Sequence, residues 1–140
     1  MRWAGRGRRL HTARAAGQVL LEVAIALPAL LLVAIGLVQF AIYYHAQNVV
    51  TLAVQDGARL AAAEDRTLAE GVAHAQALLQ AGLGRTAREV TVQGSDAGAA
   101  VTLQAQGRLR TVLPWVSEVS LPLAGRASVS KEQFRAGRRG

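Results

Sequence analysis

The stretch AAGQVLLEVAIALPALLLV, residues 15–33, decides how the rest of the chain is organised. It is apolar enough to leave water, yet Glu22 stands inside it, five residues after Gly17. From Val23 to Tyr44 the only strongly polar side chain is Gln39. As a helix, that run spans about 33 Å, enough for a hydrocarbon layer of about 30 Å. Pro28 and Gly36 are unfavourable in a soluble helix but commoner in membrane helices. Tyr43, Tyr44 and His45 fall at its far end, where amphipathic rings favour the interface. Aromatic residues make up only 4% of the chain, so a soluble core able to enclose such a rod is not expected. These features predict a membrane-spanning helix over residues 18–44.

Charge gives the helix a direction. Residues 1–17 carry Arg2, Arg6, Arg8, Arg9 and Arg14 and no acid, whereas only Arg59 and Arg66 occur in the 25 residues after the apolar run. Basic flanks stay in the cytoplasm, so the N-terminus is expected inside and the remainder across the membrane. The formal net charge of +7 sits on the two tails, the second holding Lys131, Arg135, Arg138 and Arg139 against Glu132. Residues 45–130 balance seven basic against seven acidic side chains. A nucleic-acid binder usually carries its basic patch on the folded domain, with stacking aromatics, so nucleic acid is not an expected partner. With no cysteine, the chain has neither disulfides nor thiolate metal sites, and its redox compartment stays open.

Glu22 has two readings. In a helix's first turn the macrodipole favours an acid by about 0.3–1 kcal/mol, and near a membrane surface the side chain can reach the headgroups. Deeper burial costs a few kcal/mol unless a cation meets the carboxylate. Cleavage between Gly17 and Gln18 would supply one, because Gln18 would then carry an α-ammonium, and Glu22 lies one helical turn away.

This layout resembles the prepilin signal of type IV pilins and pseudopilins: a basic leader ending in glycine, then a glutamate at the fifth mature position of an apolar helix. Gly17, Gln18 and Glu22 occupy those places. The resemblance implies cutting by a prepilin peptidase on the cytoplasmic side. Small Flp-type pilins commonly have Tyr after the Glu; this chain has Val23, and it is long for such a subunit. A closer resemblance is to TadE-like proteins of tight-adherence (Tad) pilus systems. They have the Gly-x-x-x-x-Glu start, a Leu-Pro in the apolar helix, a glycine between aliphatics, and a Gly-Ala-Arg block beyond the membrane. Leu27-Pro28, Gly36 and Gly57-Ala58-Arg59 match in order and spacing.

Past Tyr44 the periodicity predicts a continuing helix. Val49, Val50, Ala53, Val54, Gly57, Ala58 and Ala61 form an apolar stripe, with Asn48, Gln55, Asp56 and Arg59 largely opposite. Gly57 costs about 1 kcal/mol relative to alanine in a helix, so close packing is expected there, against a strand of this protein or another pilin-like helix. Thr67 to Glu70 reads as a capping box opening a second helix with Leu68, Val72, Ala75 and Leu79 inward and Gly82 or Gly84 at its end. Val90 and Val92, then Val101, Leu103 and Ala105, predict strands around a Gly94–Gly98 turn, and Leu121 to Val129 predicts an edge strand because of Pro122. The expected fold is α+β: a long helix on a small antiparallel sheet, the pilin-like plan that the resemblance implies.

No catalytic constellation is legible. His11, His45 and His74 lack metal-ligand spacing, Ser95-Asp96 suits a turn, Gly82-Leu83-Gly84 ends a helix, and neither Ser117-Glu118 nor Ser120 has a partnering base. The chain is therefore expected to be no enzyme, with no metal, cofactor or small-molecule substrate. The expected organisation is a basic leader over 1–17, a transmembrane helix over 18–44, an extracytoplasmic domain over 45–130 and a basic tail over 131–140. The resemblance implies a bacterial inner-membrane, single-pass pseudopilin whose partners are membrane lipid, prepilin peptidase, other pilin or pseudopilin subunits and the Tad machinery. Two other organisations fit the residues: an uncleaved anchored binding module, and a secreted domain released by signal peptidase after Ala34-Ile35-Gly36.

Overall fold

A computed structural model describes residues 7–110 and 119–131. The chain divides into two compact units, Met1–Phe40 and Ala41–Gly140. Helix α1, Gly7–Ala62, contributes to both. In the first unit its apolar side chains are uncovered by the other described residues, with Val19, Leu20, Leu27, Leu32, Leu37 and Phe40 all more than half exposed. Pro28 lies inside it and removes one backbone donor without ending the helix. By length and composition the helix over Gly17–Ala62 can cross a membrane.

The second unit is where the chain buries a core. Ala46, Val50, Ala53, Val54, Ala58 and Ala61 line one face of α1 and are almost fully enclosed, so the expected stripe is present. Asn48, Gln55, Asp56 and Arg59 are exposed, as their spacing requires. Helix α2, Leu68–Leu83, starts at the predicted capping box: Thr67 Oγ1 accepts from the Glu70 N–H at 3.2 Å, and Glu70 Oε2 accepts from the Thr67 N–H at 2.8 Å. It ends at Gly84, whose φ of 54° suits a residue without a Cβ. Gly82 stays helical; a Cβ there would lie 2.6 Å from a Val49 methyl, so packing explains that glycine. A short 3₁₀ turn over Gly84–Glu89 follows and buries Ala87.

Three antiparallel strands, β1 (Val90–Asp96), β2 (Ala100–Arg110) and β3 (Ser120–Ser130), lie in the order β1-β2-β3. Val90, Val92, Val101, Leu103, Ala105, Leu109 and Leu123 turn to the helices, while Thr91, Gln93, Gln106 and Arg126 face out. The turn is shorter than the sequence suggests. Gly94 and Ser95 pair with Leu103 and Thr102 inside the ladder, and the chain reverses at Gly98, with φ of 79°. Gly94 serves packing, since a Cβ there would lie 2.7 Å from Leu68 Cδ1.

The Ala97 N–H donates to the Ala100 carbonyl at 3.0 Å, which fixes the parity of the whole sheet. Even-numbered residues of β2 then bond to β1 and odd-numbered ones to β3. The even-numbered residues of β3 therefore aim their backbone groups away from the sheet. Pro122, which has no N–H, sits at such a position on this edge strand. Side chains of α1 close the same edge: the Tyr43 hydroxyl donates to the Pro122 carbonyl at 3.3 Å, and the Gln47 amide both donates to the Ala124 carbonyl and accepts from the Ala124 N–H. The expected α+β, pilin-like arrangement of helix on antiparallel sheet is thus present.

Candidate functional site

The residues singled out from the sequence fall into two groups. Gly17, Gln18, Glu22, Leu27, Pro28 and Gly36 all lie on the exposed surface of α1, within the first unit. A Cβ at Gly17 or Gly36 would meet nothing within 4 Å, so neither glycine is required by packing among the described residues. Gln18 and Glu22 are both helical and exposed, four residues apart on one face.

Glu22 is not in the first turn of the intact helix. Because α1 begins at Gly7, its first turn holds no acid, and Glu22 stands about four turns further along. The helix-end dipole fades within a turn, so it gives no support to this carboxylate in the full chain. It would do so only if the helix began near Gln18.

Gly57, Ala58 and Arg59 form the second group, in the second unit. Gly57 and Ala58 are buried. A Cβ on Gly57 would lie 2.6 Å from the Gly71 carbonyl oxygen, 2.8 Å from Leu103 Cδ2 and 2.9 Å from the Ala75 Cβ. Gly71 is constrained in return, since its Cβ would lie 2.5 Å from the Gly57 carbonyl oxygen. The close approach expected of Gly57 is therefore made within the chain, against α2 and β2. Arg59 is exposed and lines a groove of about 650 Å³ with Glu64, Asp65, Arg66, Gly98 and Lys131. Asp65 adopts φ of 60°, a region that Asp tolerates better than most residues.

Charged pairs stitch this end together. Lys131 Nζ donates to Asp96 Oδ2, while Asp96 Oδ1 accepts from the Gly98 N–H at 2.9 Å and the Lys131 N–H donates to the Ala99 carbonyl at 2.9 Å. The Lys131 ammonium, with the Gly98 N–H second, holds the Asp96 carboxyl below its ordinary range. Glu70 is held low chiefly by the Thr67 N–H and hydroxyl, with Arg66 adding to it. His74 Nε2 lies 3.2 Å from Asp56 Oδ2 across the two helices. His45 is exposed, and among the described residues no three His, Asp or Glu side chains gather in a metal-binding group.

Several positions were not legible as a site. Gln47 and Gly71 are single residues in helical runs, and only the partners that the fold brings them, Ala124 and Gly57, give them meaning. Lys131 belongs by sequence to the basic tail, yet it closes the β1–β2 hairpin. Ser117-Glu118, the arginines at 135, 138 and 139, and the first six residues lie outside the described residues, as does the side chain of His11.

Residues 17–59 match the family described as TadE-like protein. No curated protein and no solved structure matches the chain. The family segment begins at Gly17 and ends at Arg59, so it takes in both groups of residues and stops where α1 nears its end.

Proposed function

We propose, from the TadE-like match over residues 17–59, that this chain is a structural, single-pass component of Tad pilus biogenesis or secretion, cut after Gly17 by a prepilin peptidase. The observation that carries the reading is the coincidence of that match with one continuous helix, apolar and exposed through Phe40 and packed on a sheet from Ala46 onward. A rod with no covering among the described residues needs lipid or another helix around it. The five leader arginines support a cytoplasmic N-terminus in the bacterial inner membrane, with the α+β unit outside.

In this reading the leader is 1–17, the membrane helix 18–44, the outer domain 45–130 and the basic tail 131–140. Gly17 and Gln18 flank the cut. Glu22 neutralises the amine released at Gln18 and sets the helix register against other pilin or pseudopilin subunits. Leu27, Pro28 and Gly36 shape the membrane helix for neighbours, and Gly57 and Ala58 seat α2 and the sheet on the outer part of α1. The role is mechanical, not catalytic, and it needs no cofactor or small-molecule substrate.

The test is co-expression with a prepilin peptidase. Wild-type chain should lose the mass of residues 1–17, and Gly17→Trp should keep it. Gly17 is exposed and lies outside the unit that buries the core, so the variant is expected to keep that unit folded, and lost processing then reports recognition at the cut. Unaltered processing of Gly17→Trp, or a mature start near Leu37, would remove the cleavage claim.

A further inference from the structure

Cleavage after Gly17 makes glutamine the first residue of the mature chain, and an N-terminal glutamine carries its own electrophile. Its neutral α-amine can attack its side-chain Cδ. A new N–Cδ bond closes a five-membered lactam, the Cδ–Nε2 bond breaks, and the side-chain nitrogen leaves as ammonia with the proton shed by the amine. No oxidant or co-reactant is required. The product, pyroglutamate, is uncharged at the N-terminus, and it can no longer pair with a carboxylate.

The ammonium form has no lone pair and does not cyclise. What decides the fate of Gln18 is therefore which group lies near its amine. α1 is continuously helical across this region, and Gln18 and Glu22 sit one turn apart on the same exposed face. Side chains in a helix lean toward its N-terminus, so the Glu22 carboxylate leans toward Gln18. From Val19 to Phe40, no other side chain carries a full charge. A carboxylate at that distance favours the protonated amine, and its removal leaves the ammonium against an apolar surface that favours the neutral form.

We propose that Gln18 is a site of spontaneous cyclisation in the mature chain and that Glu22 of the same chain guards its amine against it. The proposal rests on the cleavage reading, and it adds a chemical duty to Glu22 that is distinct from any contact with a neighbouring subunit. Loss of the guard would erase the N-terminal charge by covalent chemistry, irreversibly.

The experiment follows the full-length chain, purified after co-expression with a prepilin peptidase, in dilute detergent, where chains are apart, by mass spectrometry of the N-terminal peptide over days at neutral pH. Wild type should keep Gln18 with a free amine, reactive toward an amine-labelling reagent. Glu22→Gln should convert about tenfold faster to a species lighter by one ammonia and unreactive toward the label. Gln18→Glu in the Glu22→Gln background should abolish that fast conversion, because hydroxide is a far poorer leaving group than ammonia. Equal rates in wild type and Glu22→Gln, or a wild-type chain already fully cyclised, would overturn the proposal. A mass that still includes residues 1–17 would instead fail the cleavage reading, and the two failures are read from the same spectrum.

Discussion

Gly36 and Gly57 both belong to the family segment, both cost a helix about 1 kcal/mol relative to alanine, and their surroundings differ completely. Gly57 touches backbone, and backbone cannot step aside, so Gly57→Ala forces α1 and α2 apart and lowers stability by about 1–3 kcal/mol. Gly36→Ala meets nothing in this chain and should leave the melting temperature of the folded unit unchanged. Thermal unfolding followed by far-ultraviolet circular dichroism separates the two; equal effects would refute the distinction. Asp96 offers a second test at this scale. Its folded carboxyl titrates below the ordinary value because Lys131 and the Gly98 N–H favour the ionised form. That contribution is present above the unfolded carboxyl's range, about pH 4, and is lost as pH falls through the lower folded value. Melting temperature should therefore fall below about pH 4 in wild type, and the fall should be shallower in Asp96→Asn, with Glu70 supplying part of what remains.

The elements were largely legible because their signals are local. The Thr67–Glu70 capping box, the stripe from Val50 to Ala61 and the alternation in β2 each arise from neighbours in sequence. What could not be read were contacts made across about eighty residues, where no spacing in the sequence marks the partner. The clearest is Gln47, whose single amide satisfies both backbone groups of Ala124 on the β3 edge. An open strand edge invites pairing with other chains, so this amide protects as well as stabilises. Gln47→Ala should cost about 1 kcal/mol in denaturant unfolding and speed hydrogen exchange at the Ala124 amide. Gln47→Glu keeps the acceptor and loses the donor, so it should preserve protection at that N–H. If both variants exchange alike, the amide is not the seal. Gly94 teaches the opposite lesson: glycine beside Ser and Asp reads as a turn, but here it admits Leu68 against the sheet.

For the whole molecule, the helix start at Gly7 separates the two lives of Glu22. In the uncleaved chain the carboxylate is mid-helix, without a helix-end dipole, and it is exposed and outside the unit that buries the core, so no fold contact among the described residues depends on it. In the proposed reading, cleavage after Gly17 would shift the helix start to Gln18, and only then would the dipole and the new ammonium act on Glu22. A change at this residue should therefore be silent until the leader is gone. Glu22→Ala is expected to insert in the membrane, to be cut after Gly17 and to keep the wild-type melting temperature, because all three depend on other residues. Incorporation into the assembled fibre should drop at least tenfold, since until it cyclises the newly released ammonium has no carboxylate to meet it and is expensive to bury at the head of an apolar helix beside its neighbours. Fractionation, mass spectrometry and immunoblotting of sheared fibres measure insertion, cleavage and incorporation in one strain, and circular dichroism of the purified protein gives the melting temperature. Normal fibre incorporation of Glu22→Ala would leave the glutamate with no part in assembly, while failed cleavage would move its role to peptidase recognition.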